Sequence, residues 1–225
     1  MSHSWLFTGP PGSGRSLAAL DFAAALMCTD PEEPGCGRCE ACQAVLDAKQ
    51  HTDLVLVDPQ EVIIPVDTVR EVIGRAASLP TVAPWRVVIF NNADRLNNNG
   101  ANALLKTVEE PPARTVIIMC APSDAPEDFS QTLRSRCRHL YIPSPSVESI
   151  TAQLVSEGAS DHDAHLAALT SLRHVGRARR LVNDPAVQKR RAVAINLAEY
   201  IFHDSQAFQA VTSLLKLVDA DAKES

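Results

Sequence analysis

Apolar residues fall into two kinds of pattern that change over near residue 145. Before it, five short runs rich in Val and Ile, at 5–8, 54–57, 87–90, 115–120 and 140–142, carry no polar alternation. Unbroken runs of this length suit strands buried on both faces. Between them lie stretches with helical apolar spacing at 16–27, 39–49, 66–78 and 101–110. Strand and helix in alternation predict a parallel α/β sheet flanked by helices. After Pro143-Ser-Pro145 only helical spacing remains, over 147–223. A break is predicted at Asn183-Asp-Pro185, because proline disfavours helix in the residue before it.

Composition narrows the function classes. Apolar residues make up 45% of the 225 positions, enough for a sizeable core, but aromatics only 4%. The core must therefore be Ala, Val, Leu and Ile, and no aromatic stacking surface for single-stranded nucleic acid is evident. A net charge of −6 argues against a protein held mainly by general phosphate attraction. The start, Met-Ser-His-Ser-Trp, has no basic segment leading into an apolar one, and no uncharged apolar run reaches the roughly 18 residues that span a bilayer. The expectation is a cytoplasmic chain without a membrane partner. In that reducing compartment the six cysteines point to metal binding and not to disulfides.

Directly after the first apolar run comes Gly9-Pro-Pro-Gly-Ser-Gly-Arg-Ser16, a phosphate-loop pattern in which arginine replaces the lysine. Gly9, Gly12 and Gly14 would let backbone N–H groups turn inward around an anion at the start of a helix. Ser16 would join Mg²⁺, and Arg15 keeps the charge of lysine in a larger, planar, differently aimed form. An ATPase also needs acids at the end of a neighbouring strand. The candidate run at 86–90 ends in Asn91-Asn92, and neither amide can act as a base or replace a carboxylate on Mg²⁺. Asp94 and Asp58 do not lie at the expected place. Bound nucleotide thus stays open for this loop, and hydrolysis is not expected.

Cys28, Cys36, Cys39 and Cys42 gather four thiols within fifteen residues. Four sulfur ligands suit tetrahedral Zn²⁺ in a closed, structural site. The alternative is a set of free or redox-active thiols. Cys120, inside an apolar run, reads as a small core residue.

The phosphate loop, the cysteine insertion behind it, Asn102-Ala-Leu-Leu-Lys-Thr-Val-Glu-Glu-Pro-Pro112 and Leu133-Arg-Ser-Arg-Cys137 together resemble a bacterial DNA polymerase III clamp-loader subunit of the AAA+ family. The resemblance extends to about Leu181. It implies a P-loop AAA+ domain over 1–143 with a zinc module at 28–42, a small helical lid over 144–185, and the start of a truncated helical collar domain over 186–225. Such subunits load the sliding clamp onto primed DNA in replication. Of the two types that share these motifs, Arg15, Asn91 and Asn92 point to the non-hydrolysing delta-prime type; the alternative is the ATP-hydrolysing gamma/tau type. Polymerase activity would belong to the holoenzyme alone.

By the same resemblance, Arg136 of Ser135-Arg-Cys137 would be a finger reaching into a neighbour's ATP site, where its fork of donors meets charge on the transferring phosphoryl group. Arg134 and Arg138 read as solvated or interface charges. The sensor position after the fourth strand falls at Pro122, beside Ser123, and Arg179 is a second-sensor candidate. Seven basic residues crowd positions 173–191, a possible contact for DNA or an acidic partner. The implied partners are gamma/tau and delta-type subunits, with the clamp and primer-template DNA reached through the assembled complex. Compared with the family, both flanks are short. Outside it, two rivals are an autonomous ATPase and a zinc-dependent DNA-binding module.

Overall fold

A computed structural model describes residues 3–59, 61–200 and 212. The chain divides into two compact units, residues 1–144 and 145–225. The first is built on five strands: β1 (Ser4–Thr8), β2 (Leu54–Val57), β3 (Arg86–Phe90), β4 (Thr115–Ala121) and β5 (Arg138–Tyr141). They pair in the order β2-β3-β4-β1-β5, every pairing parallel. Because β1 sits between β4 and β5, the chain leaves it in one direction and later crosses back over it. That places the loop after β1 at the switch point, where α/β sheets open a crevice at their carboxyl edge.

All residues of β3 and β4 are buried, the polar first residues Arg86 and Thr115 included, and the apolar runs that follow lie between layers on both faces. Val87, Ile89, Val116, Ile118 and Cys120 pack on one face with α1 (Arg15–Met27) and α2 (Glu40–Leu46). Val88, Phe90, Ile117 and Met119 pack on the other with α3 (Val66–Ala76) and α4 (Asn98–Glu109). On α1 the sheet-facing side is Ala19, Ala23 and Ala24 with Leu20 and Met27, so small side chains bring that helix close.

Two helix bounds differ from the sequence expectation by three residues each. The fourth helix begins at Asn98 and not Ala101, because the Asn97 side chain accepts the Gly100 N–H and caps a stretch of poor helix formers. The second ends at Leu46, well before Lys49, whose φ of 53° is left-handed. A four-residue helix, α5 (Gln131–Arg134), is too short to leave a periodic signal.

The second unit contains α6 (Val147–Ser156), α7 (Asp161–Thr170), α8 (Val175–Asn183) and α9 (Pro185–Tyr200). Ser146 and Ser160 cap the first two, and Ile150, Leu154, Ala164, Ala167, Ala168 and Ala178 form the core. Asp184 separates α8 from α9, where the break was expected. The part of the predicted helical region over 201–211 and 213–225 lies outside the described residues. Among the described residues no helix is long and apolar enough to cross a membrane.

Candidate functional site: a phosphate loop, a thiol cluster and an exposed arginine

The phosphate loop follows β1 directly. Gly9 allows a close approach, since a Cβ there would collide with the Ile142 carbonyl oxygen, and its N–H donates to Ala121 O and Pro122 O. Gly12 and Gly14 have φ of 84° and 92°, the left-handed region that glycine enters freely. Gly14 stands at the N-cap of α1, which has no side-chain cap and no acid in its first turn. The cradle for an anion is therefore built.

What fills it differs from a working ATPase. Arg15 is buried and turned back on the protein: Nη1 donates to Gly9 O at 2.8 Å and Nη2 to Asn92 Oδ1 at 3.4 Å. Asn92, with φ of 51°, stands just past β3 at the place expected for an acid. Ser13 Oγ, Arg15 Nε and Asn91 Oδ1 are buried without hydrogen-bond partners. The Ser16 hydroxyl makes no hydrogen bond among the described residues. Asp94 lines a separate hollow with Glu127 and Ser130, and Asp58 stands at the end of the edge strand β2. Beyond β4, the Ser123 hydroxyl donates to Asp128 within its own loop, so neither it nor Pro122 offers a side-chain donor to the cradle.

The four thiols Cys28, Cys36, Cys39 and Cys42 converge, with all sulfurs within 4.8 Å of one another. Cys28 Sγ lies 3.7 Å from Cys36 Sγ and 3.9 Å from Cys39 Sγ. A tetrahedral ion with metal–sulfur bonds near 2.3 Å requires sulfur edges of roughly 3.8 Å, so the donor set fits zinc. The local sequence builds this arrangement. Cys28 ends α1, Cys39 caps α2, and Gly35 and Gly37 supply left-handed turns around Cys36. The N–H groups of Asp30, Cys39 and Cys42 donate to Cys28, Cys36 and Cys39 sulfurs, each at 3.4 Å. Donors from Thr29 and Cys42 lower the Cys39 thiol to about 5, whereas burial pushes Cys42 up to about 12. A bound cation would bring Cys42 to the thiolate as well. Cys120 is a buried core residue, its thiol pushed up to about 12 by burial.

Arg136 follows α5 and is one-third exposed. Its Nε donates to Glu109 Oε2 at 3.3 Å, and Nη1 to Thr132 O at 2.9 Å and Ser135 Oγ at 3.4 Å. Nη2 makes no hydrogen bond among the described residues, which leaves one edge of the guanidinium for an incoming acceptor.

One expectation needs correction. Arg134 is not simply solvated: it is partly buried and bonds Asp124 and His139. Arg138 stacks its guanidinium 5.2 Å from the centre of the Trp5 ring, since β5 pairs beside β1 and brings the two opposite each other. Arg179 makes a forked pair with Glu157, at 2.6 to 3.1 Å, within the helical unit.

Sequence reasoning missed one charged pair altogether. Asp53 is fully buried and accepts from the N–H groups of Thr81, Val82 and Ala83 and from Arg86 Nη2 at 2.9 Å. Burial alone would raise its pKa, but those backbone donors and Arg86 outweigh it and hold the carboxyl well below the usual range. Opposite charges just before β2 and at the start of β3 were the available signal; the register Leu54–Val87 sets them side by side.

A five-stranded parallel sheet with a glycine cradle at its switch point defines an α/β P-loop protein. The structure aligns with a DNA polymerase III gamma subunit-related protein from Thermotoga maritima at a TM-score of 0.51 and 16% identity, covering 95% of this chain and 73% of that one. A family model described as DNA polymerase III, delta subunit, matches residues 1–146, and the chain belongs to that family. It is 36% identical over 165 residues to the DNA polymerase III subunit delta-prime of Pseudomonas aeruginosa, covering 70% of this chain and 49% of the relative. It is also 34% identical over 170 residues to the gamma/tau subunit of Mycobacterium bovis, covering 73% and 29%. The chain spans about half the length of the delta-prime relatives from P. aeruginosa and Escherichia coli. The chain thus belongs with the delta-prime-type subunits of DNA polymerase III.

Proposed function

We propose that this chain does not hydrolyse ATP itself, and that it lends Arg136 to the ATP site of a neighbouring clamp-loader ATPase while a sliding clamp is loaded onto primed DNA. The observation that carries this reading is Arg15, which bonds Gly9 O and Asn92 Oδ1 where a working loop would present lysine beside a magnesium-binding acid. Asn91 and Asn92 are neutral, so the residues present do not fit catalytic Mg²⁺. Gly9, Gly12, Gly14, Arg15 and Ser16 form a vestigial loop that at most holds phosphate weakly. The free edge of Arg136 supports the finger role, because a guanidinium offers a fixed fork to charge developing on a transferring phosphoryl group.

Cys28, Cys36, Cys39 and Cys42 would hold a structural zinc bracing the segment between α1 and α2. The helical unit at 144–185 would act as the lid, with 186–225 the start of a collar. The partners would be gamma/tau and delta-type subunits, with clamp and DNA engaged through the complex in the cytoplasm. A gamma/tau-like ATPase role draws on the mycobacterial similarity, but Arg15, Asn91 and Asn92 stand where it needs lysine and acids.

The test is ATP turnover. The purified chain should remain at background, and Arg136→Ala in the assembled loader should slow turnover at least about tenfold, as loss of an arginine finger does. Robust turnover by the chain alone, or an unaffected complex, overturns the reading. Elemental analysis should find one zinc per chain, lost in Cys36→Ser together with thermal stability.

A further inference from the structure

An isolated helix of four residues has no stability of its own, so the direction of α5, and with it the aim of Arg136, is set by what α5 is tied to. Leu133 is fully buried and Cys137 nearly so, which anchors the segment without fixing its twist. The polar tie is Arg134. Its Nε donates to Asp124 Oδ2 at 3.0 Å, and its Nη2 lies 3.3 Å from His139 Nδ1. With Arg134 donating to Nδ1, the neutral imidazole carries its proton on Nε2, which lies 2.6 Å from Thr8 Oγ1. Thr8 is the buried last residue of β1, His139 belongs to β5, and Asp124 follows β4. Asp124 also accepts the Gln131 side-chain amide on its main-chain oxygen, closing the loop onto the first residue of α5.

We propose that Arg134 is a positioning residue for Arg136, acting through Asp124, His139 and Thr8 to lock α5 to β1, β5 and the segment after β4. The inference rests on the finger reading above. Arg134 ends α5 and Arg136 follows it, and the two side chains meet different partners. Arg134 is tied to the sheet, Arg136 is steadied by Glu109 on α4, and Nη2 of Arg136 stays free. Loss of the Arg134 tie leaves the finger present but badly aimed, and misplacement by about 1 Å is enough to cost a large factor in rate.

The experiment is steady-state ATP turnover by the loader reassembled with full-length chains carrying Arg134→Ala, Asp124→Asn, Arg136→Ala or Arg134→Ala with Arg136→Ala. Arg134→Ala and Asp124→Asn should each lower kcat by roughly tenfold with KM for ATP unchanged. The double variant should be no slower than Arg136→Ala alone, because a misaimed finger and an absent one share a single defect. A normal kcat for Arg134→Ala beside a reduced one for Arg136→Ala overturns the positioning role only. Normal values for both overturn the finger reading itself. Additive losses in the double variant also reject the proposal. Should Arg134→Ala fail to fold, Asp124→Asn, which keeps the shape of a half-exposed side chain, gives the deciding measurement.

Discussion

Two buried arginines stand at opposite ends of the same sheet, and their partners differ in kind. Arg86, where β3 begins, meets the Asp53 carboxylate and donates as well to the Arg75 and Ser78 carbonyls at 2.7 and 2.8 Å. Arg15, beyond the carboxyl end of β1, meets only the neutral oxygens of Gly9 and Asn92. The first charge is compensated by the fold, so it is part of the framework. The second is tolerated by dipoles, in a cradle shaped for an anion with Asn91 and Asn92 beside it.

The comparison predicts unequal costs. Asp53→Ala should destabilise the chain by about 3–5 kcal/mol in denaturant unfolding, because it strands Arg86 as an uncompensated buried charge. The pH dependence follows with a definite sign. Asp53 has a lowered pKa when folded, so its contribution is present above the unfolded carboxylate value of about 3.9 and is lost as pH falls through the lower folded value. Asp53→Asn should therefore flatten the acid limb of the stability curve below about pH 4. Arg15→Gln should shift stability by no more than about 1 kcal/mol, since only hydrogen bonds to neutral groups are exchanged. A loss equal to that of Asp53→Ala would erase the distinction between the two sites. Smallest of all, Arg15→Lys should leave ATP turnover by the isolated chain at background, because the missing acids are untouched.

Legibility in the sequence followed locality. Val87–Phe90 announced itself as a doubly buried strand, and the cysteine cluster was readable because its four ligands lie within one short insertion. The loop glycines were readable because each answers a backbone demand at its own position. Arg134 was misread: its partners come from the segment after β4 and from β5, and only the sheet order brings Asp124, His139 and Thr8 together. Asp53 and Arg86, 33 positions apart, required the strand register. The true start of α4 was hidden by Asn97-Asn-Asn-Gly100, a run that propensity assigns to a turn and a side-chain cap converts to helix.

The bond between Arg15 and Asn92 also bears on how an ATP site could be built in this cradle. Restoring an acid first, through Asn92→Asp, would place a carboxylate within reach of a buried guanidinium and create a second Arg86–Asp53 clasp, closing the cradle more tightly. Restoring lysine first leaves a charge facing two amides with no metal to share. Each change arrives without its complement, so on the proposed reading no single substitution would give this loop a working ATP site.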